Sequence, residues 1–260
     1  MRKIYLGALA LMIGAIGFAQ DNKSDVTQTG ENETSKVTQV GRDNNAIQIQ
    51  DGFDNSATIN QNGRDNYAKQ DQSDRKLGAH IGNESTAEIK QDGRGNKAWQ
   101  TQSYENNFAK AVQTGDRNSS KQSQSAWSND ALVQQSGDDN RAEQTQASSA
   151  AIATINQPGD DNSAKQDQLS GKYNKAEAYQ SGDDNTSIQS QTGAASNGVA
   201  NYNLVKVRQT GDDNYAKQTQ GNNGNGVKNV ASINQSGDDN RATQEQVGGQ
   251  NNDVRATQSG

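Results

Sequence analysis

The phrase Gln-x-Gly-x-x-Asn-x-Ala-x-Gln-x-Gln returns nine times along this 260-residue chain. Copies begin at Gln39, Gln61, Gln91, Gln113, Gln135, Gln157, Gln180, Gln209 and Gln235. The leading Gln, the Gly, the Asn and the last two Gln never change, and the Ala gives way only to Ser120 and Ser187. A fixed period of this length is the signature of a repeat architecture. The modal spacing of 22 also divides in two: Asn55-x-Ala57-x-Ile59-x-Gln61 recurs as Asn107-x-Ala109-x-Ala111-x-Gln113 and Asn229-x-Ala231-x-Ile233-x-Gln235. Each half therefore spans 11 residues and ends in Gln.

Fixed residues at every second position mark a strand, whose side chains alternate between faces. Asn214, Ala216, Gln218 and Gln220 are expected to point inward, and Tyr215, Lys217 and Thr219 to water. Strand, turn, strand and turn make one rung of an all-β fold, a β-solenoid with amyloid-like cross-β stacking at about 4.8 Å. Asn22-Ser24-Val26-Gln28 and Glu33-Ser35-Val37-Gln39 supply the first rung. Counting on to Gln258 predicts ten strand-turn-strand rungs of 22 residues, the whole standing roughly 48 Å tall.

Stacking explains why amides recur. A side-chain amide holds both donor and acceptor, so a column of identical amides can bond to itself. The columns expected to do so contain Gln39, Asn44, Gln48, Gln50, Gln61, Asn66, Gln70, Gln72, Gln91, Asn96, Gln100, Gln102, Gln113, Asn118, Gln135 and Asn140. They continue through Gln157, Asn162, Gln180, Asn185, Gln209, Asn214, Gln218, Gln220, Gln235, Asn240, Gln244 and Gln246. Gly41, Gly63, Gly93, Gly115, Gly137, Gly159, Gly182, Gly211 and Gly237 fall where the turn needs positive φ. Pro158-Gly159 fits the middle of a type II turn.

Composition alone would read as disorder, with 28% hydrophobic residues and a mean hydropathy of -1.13, too little apolar area to offset chain entropy. The amide columns are what distinguish this chain from that class. A net charge of -6 argues against a nucleic-acid partner. No cysteine is present and His80, in an insertion, is the single histidine, which removes disulfides, thiolate metal sites and most nucleophile-His chemistry. The carboxylates are set out as ladders rather than around a cleft, so no enzyme is expected. Arg2-Lys3, the apolar run from Ile4 to Phe18 and small residues near Ala19 read as a signal peptide over residues 1–19. The remainder, 20–260, is expected to be one exported repeat domain with no transmembrane segment.

The two edges of such a solenoid differ. The turn holding Gly keeps one length, whereas the opposite turn is lengthened before Gln91, Gln209 and Gln235 by segments such as SDRKLGAHIG and GNNGNG. The uniform edge begins with Arg42-Asp43, Arg64-Asp65, Arg94-Gly95 and Asp116-Arg117, net +1. It ends with Asp138-Asp139, Asp160-Asp161, Asp183-Asp184, Asp212-Asp213 and Asp238-Asp239, net -10. Stacked like charges repel by about 1 kcal/mol per pair in water. Relief is expected from low pH, from Arg141, Lys165 and Arg241, or from calcium as an accessory ligand of those aspartates. No other cofactor is expected, and a calcium β-roll repeats every nine residues rather than 11 or 22. Trp99, Trp127, Tyr67 and Tyr215 are expected to shield the sheet faces.

At this point a likeness appears. Ser85-Gln91-Gly93-Asn96-Ala98-Gln102 has the spacing of curlin repeats, and the chain resembles the curlin family of curli-type bacterial functional amyloid over nearly its whole length after residue 19. Asn usually stands where that family has Ser, as at Asn55, Asn107, Asn129 and Asn229. The resemblance implies a secreted structural subunit that polymerises with itself into extracellular curli fibres of the biofilm matrix, serving cell adhesion. It implies a nucleator subunit and an outer-membrane secretion channel as further partners. The alternatives are a nucleating or accessory fibre subunit, or a monomeric calcium-responsive surface adhesin. The pattern runs to Gln258-Ser259-Gly260 without a polar cap, which is expected of a polymer.

Overall fold

The computed structural model describes residues 21–73, 84–193, 202–222, 228–248 and 251–260. The expected signal peptide and His80 lie outside the described residues. The first strands are β1 (Lys23–Glu31), β2 (Thr34–Arg42), β3 (Asn45–Phe53), β4 (Ser56–Arg64), β5 (Tyr67–Ser73) and β6 (Thr86–Arg94). Next come β7 (Lys97–Gln102), β8 (Phe108–Thr114), β9 (Ser119–Gln124), β10 (Asp130–Ser136), β11 (Arg141–Gln146), β12 (Ile152–Pro158) and β13 (Ser163–Gln168). The last are β14 (Lys175–Ser181), β15 (Thr186–Gly193), β16 (Tyr202–Thr210), β17 (Tyr215–Asn222), β18 (Lys228–Ser236), β19 (Arg241–Val247) and β20 (Asp253–Ser259).

Odd-numbered strands form one 10-stranded parallel sheet and even-numbered strands another, which makes the chain an all-β solenoid. Register follows the repeat: Ser119, Arg141 and Ser163 stand one above the other. It also survives the longer connections, since Gln70 still reaches Gln100 across 30 residues and Gln189 reaches Gln218 across 29. Those connections leave from one edge, between β5 and β6, β15 and β16, and β17 and β18. Loop entropy rises only slowly with length, so an edge that faces water tolerates them. No helix among the described residues is long and apolar enough to cross a membrane.

Alternation in sequence becomes alternation in burial. In β17, Ala216, Gln218 and Gln220 are buried, as is Asn214 just before it, while Tyr215, Lys217 and Thr219 are partly or fully exposed. Across the interior, large residues of the even sheet meet small ones of the odd sheet. Ile59 and Ile89 pack on Ala46, Ala68 and Ala98; Val133 and Ile155 pack on Ala142 and Ala164; Val207 and Ile233 pack on Ala216 and Ala242. Each buried Ile contributes roughly 2–3 kcal/mol. Ser120 and Ser187 occupy the alanine column with buried hydroxyls that have no hydrogen-bond partner. Ser120→Ala is therefore expected to raise the stability by about 1 kcal/mol in chemical unfolding.

The uniform turns are built from two left-handed positions rather than one. Gly211 has φ of 101° and Asp213, two residues on, has φ of 57°. Asp and Asn reach the second conformation more readily than other side chains, which gives the recurring Asp a backbone role that its charge does not suggest. Pro158 departs from the expected type II turn. Asp160 N–H, which such a turn would direct to the Gln157 carbonyl, goes instead to Asp183 Oδ1 at 3.0 Å. Pro158 ends β12, and the ladder to β14 stops at Asn156–Tyr179, because proline has no N–H to continue it.

Candidate functional site

Three glutamine columns run up the interior, and each is bonded in one direction. In the even sheet, Gln39 Nε2 donates to Gln61 Oε1 at 2.9 Å, Gln61 to Gln91, Gln91 to Gln113, Gln113 to Gln135 and Gln135 to Gln157. The column continues through Gln180, Gln209 and Gln235 to Gln258. In the odd sheet one column runs from Gln48 through Gln70, Gln100 and Gln122 to Gln218 and Gln244. The other runs from Gln28 through Gln50, Gln72 and Gln102 to Gln220 and Gln246.

The second amide hydrogen has a separate use. Gln39 donates to Lys23 O, Gln48 to Lys36 O and Gln50 to Thr34 O, in each case a carbonyl of the opposite sheet. Higher rungs repeat this, as Gln144 to Leu132 O and Gln146 to Asp130 O show. Away from the outermost rungs, and with the exception of Gln218, each of these amides therefore ties rung to rung and sheet to sheet with both its hydrogens used, which offsets the cost of so polar an interior.

The asparagines depart from the expected amide-to-amide ladder. Asn118 Nδ2 donates to the Gly137 carbonyl of the next rung at 2.6 Å, and its Oδ1 accepts the Asn140 backbone N–H at 3.0 Å. Asn44, Asn66, Asn96, Asn140, Asn162, Asn185 and Asn214 likewise donate to Gly63, Gly93, Gly115, Gly159, Gly182, Gly211 and Gly237. Asn240, on the last rung, donates back to Ser236 O. Among the described residues of this column, direct amide contacts run only from Asn66 to Asn44, Asn140 to Asn118 and Asn214 to Asn185. Asn is short and sits at the turn, so a carbonyl lies nearer than the next amide. The repeating Gly and Asn are thus one device, a side chain clamped on the glycine above it.

The aspartate edge is relieved from within. Asp138 Oδ1 accepts Asp116 N–H at 2.8 Å, and Asp160, Asp183, Asp212 and Asp238 accept the N–H of the first aspartate one rung below. Arg117 forks onto Asp139 at 2.6 and 2.8 Å, which holds that carboxyl below its ordinary range. Asp161 and Asp213 are pushed up by lost hydration and by the stacked carboxylates around them. The cations expected to help do not reach the edge. Arg141 turns to Glu143, Lys165 to Asp167, and Arg241 lies over the Tyr215 ring at 4.6 Å. No group of three or more metal-ligating side chains is assembled among the described residues. Asp160→Asn keeps the acceptor oxygen and removes a charge. It is expected to leave stability within about 0.5 kcal/mol at high salt, whereas Asp160→Ala loses about 1 kcal/mol in any salt.

Aromatic residues pair between rungs. Tyr67 and Trp99 lie 5.6 Å apart on the odd sheet; Tyr104 with Trp127, and Tyr173 with Tyr202, pair along the lengthened edge. Trp127 is 56% exposed.

The two end faces are complementary in two of the three glutamine columns. Among the described residues β1 pairs only with β3 and β2 only with β4, while β19 pairs only with β17 and β20 only with β18. The lower face presents Gln28 Oε1 and Gln39 Oε1 as acceptors, and the upper face presents Gln246 Nε2 and Gln258 Nε2 as donors. No protein-family model matches this chain and no curated protein does either, so its function has to be argued from this geometry.

Proposed function

We propose that this chain is a secreted structural subunit that stacks head-to-tail into extracellular amyloid-like fibres of the curli type. The observation that carries the reading is the one-way direction of the glutamine columns. Donors at one end and acceptors at the other, on unpaired strands, are what a second copy in the same orientation would need. An interface that does not close into a ring propagates as a filament. Incubating the purified chain and following it by electron microscopy and fibre diffraction tests this. Filaments with the roughly 4.8 Å repeat along their axis are expected, and a chain that stays monomeric for days overturns the reading. That second outcome would favour the monomeric adhesin, for which the Tyr104–Trp127 and Tyr173–Tyr202 pairs, exposed at Trp127, Tyr173 and Tyr202, are the supporting observation.

One position at the lower face is mismatched. Val26 stands in the register of Gln48, so an incoming Gln244 would find no acceptor there and its N–H would be stranded. Val26→Gln completes the column and is expected to speed seeded growth about tenfold, the equivalent of a 1.4 kcal/mol hydrogen bond. Elongation rates at a fixed seed concentration measure it.

A further inference from the structure

Along the lengthened edge, the first inward residue of each even half-repeat forms a column: Glu33, Asn55, Ser85, Asn107 and so on to Asn229 and Asn252. At several rungs of this column the side-chain oxygen accepts the backbone N–H of the next rung. Ser85 N–H reaches Asn55 Oδ1 at 3.1 Å, Asn129 reaches Asn107 at 3.0 Å and Asn252 reaches Asn229 at 3.1 Å. Glu33 is its one ionisable member, and it lies on the lower face. Its Oε1 accepts from Asn55 Nδ2 at 3.2 Å, while Oε2 is buried without a partner.

The surface that fits the lower face is the one each rung already offers to the rung above it. Carried past β19 and β20, the same register sets Gln246 over Gln28, Gln258 over Gln39, Ala256 over Val37 and Asn252 over Glu33. We propose that Glu33 gates the addition of a second copy at this face, a copy docking β19 and β20 on β1 and β2 only while the Glu33 carboxyl is uncharged. The inference rests on the fibre reading above.

Docking removes the remaining water from Glu33. An ionised carboxylate in a dry seam is disfavoured, whereas the neutral acid supplies a carbonyl acceptor and one donor, as the amides of this column do. Among the described residues no counter-charge faces it. Asp51 lies near the end of β3 and Asp54 on the β3–β4 turn, Glu31 ends β1, and the incoming copy brings Asp253, whose partner Arg255 is already engaged at 2.8 Å. Lys36, on β2 itself, occupies an outward position. Burial, with Asp51 and Asp54 adding, pushes the Glu33 carboxyl up to about 7, although the Asn55 bonds pull the other way. A carboxyl raised from 4.5 in the folded state favours that state fully below pH 4.5 and loses the contribution as pH rises through about 7.

Seeded elongation followed by light scattering from pH 5.5 to 9 tests the gate. Above pH 7 the wild-type rate is expected to fall about tenfold per unit, with the uncharged fraction. Glu33→Gln is expected to stay within about twofold across the same range. Titration of the aspartate edge is common to both chains and cancels in the comparison. A Glu33→Gln chain that keeps the wild-type profile, or a wild-type rate that ignores pH, overturns the gate. If Glu33→Gln does not elongate, the Glu33→Asn, Asn252→Glu double variant decides. Recovery of pH-dependent growth supports the contact between positions 33 and 252, and its absence overturns it. A wild-type chain that fails to extend seeds at every pH overturns the fibre reading itself.

Discussion

Gly137→Ala is expected to destabilise the solenoid by roughly 3–5 kcal/mol, enough to unfold the rungs around it. Two independent costs combine there. The residue has φ of 108°, a conformation that L side chains rarely adopt. An added Cβ would also lie inside contact distance of the Gly159 carbonyl oxygen and 2.5 Å from Asp160 Oδ1. Neither atom can retreat cheaply, because the Gly159 carbonyl is held by Asn140 and Asp160 Oδ1 by Asp138 N–H. Gly248→Ala separates the two effects, since Gly248 has φ of 72° but open space around it. About 1 kcal/mol is expected for that variant from backbone strain alone. Guanidinium unfolding of both chains, followed by circular dichroism, makes the comparison. Equal losses would mean that steric contact between rungs contributes nothing.

Gln144→Leu is expected to lose about 3 kcal/mol or more even though leucine matches glutamine in size and is more apolar. The substitution takes the acceptor from Gln122 Nε2 at 3.0 Å, the donor from Gln166 Oε1 at 3.0 Å and the donor from Leu132 O at 3.1 Å. All three groups are in the interior, where an unmatched polar atom forfeits its hydration without return. Thr145→Ala, one residue away and facing out, is expected to change stability by less than about 0.5 kcal/mol. A hydrophobic-core protein would show the opposite preference at an inward position. A stable Gln144→Leu chain would show that the apolar contacts, not the amides, hold the rungs.

Much of the solenoid is legible in the residues alone. Alternation in QTGDDNYAKQTQ identifies which side chains face inward, because a strand has a period of two and no other element does. The 22-residue step gives the register, since like residues must stack for the amides to pair. What spacing does not reveal is which atom a side chain meets. Asn118 and Gln122 look equivalent in sequence, yet one amide reaches a glycine carbonyl and the other its own counterpart. The difference is one methylene and the nearness of the turn. The aspartates mislead for a related reason. Formal charge counts Asp138 and Asp160 as pure repulsion, whereas backbone N–H groups, invisible in a charge count, are aimed at one oxygen of each. Arg141 and Lys165 look like relief by proximity in sequence, but both follow the turn into a strand and turn toward Glu143 and Asp167 on the sheet face.

The one-way glutamine columns carry a consequence for breakage. A stack whose every amide points the same way has no privileged place at which its two kinds of end are made. Snapping it between any two copies leaves one fragment with free acceptors and one with free donors, each identical to an end that was there before. Fragments can rejoin in the original sense, and an inverted fragment sets donor against donor and is rejected. In the fibre proposed above, shear would therefore multiply growing ends without creating defective ones, so that broken material would also be material that reseeds itself.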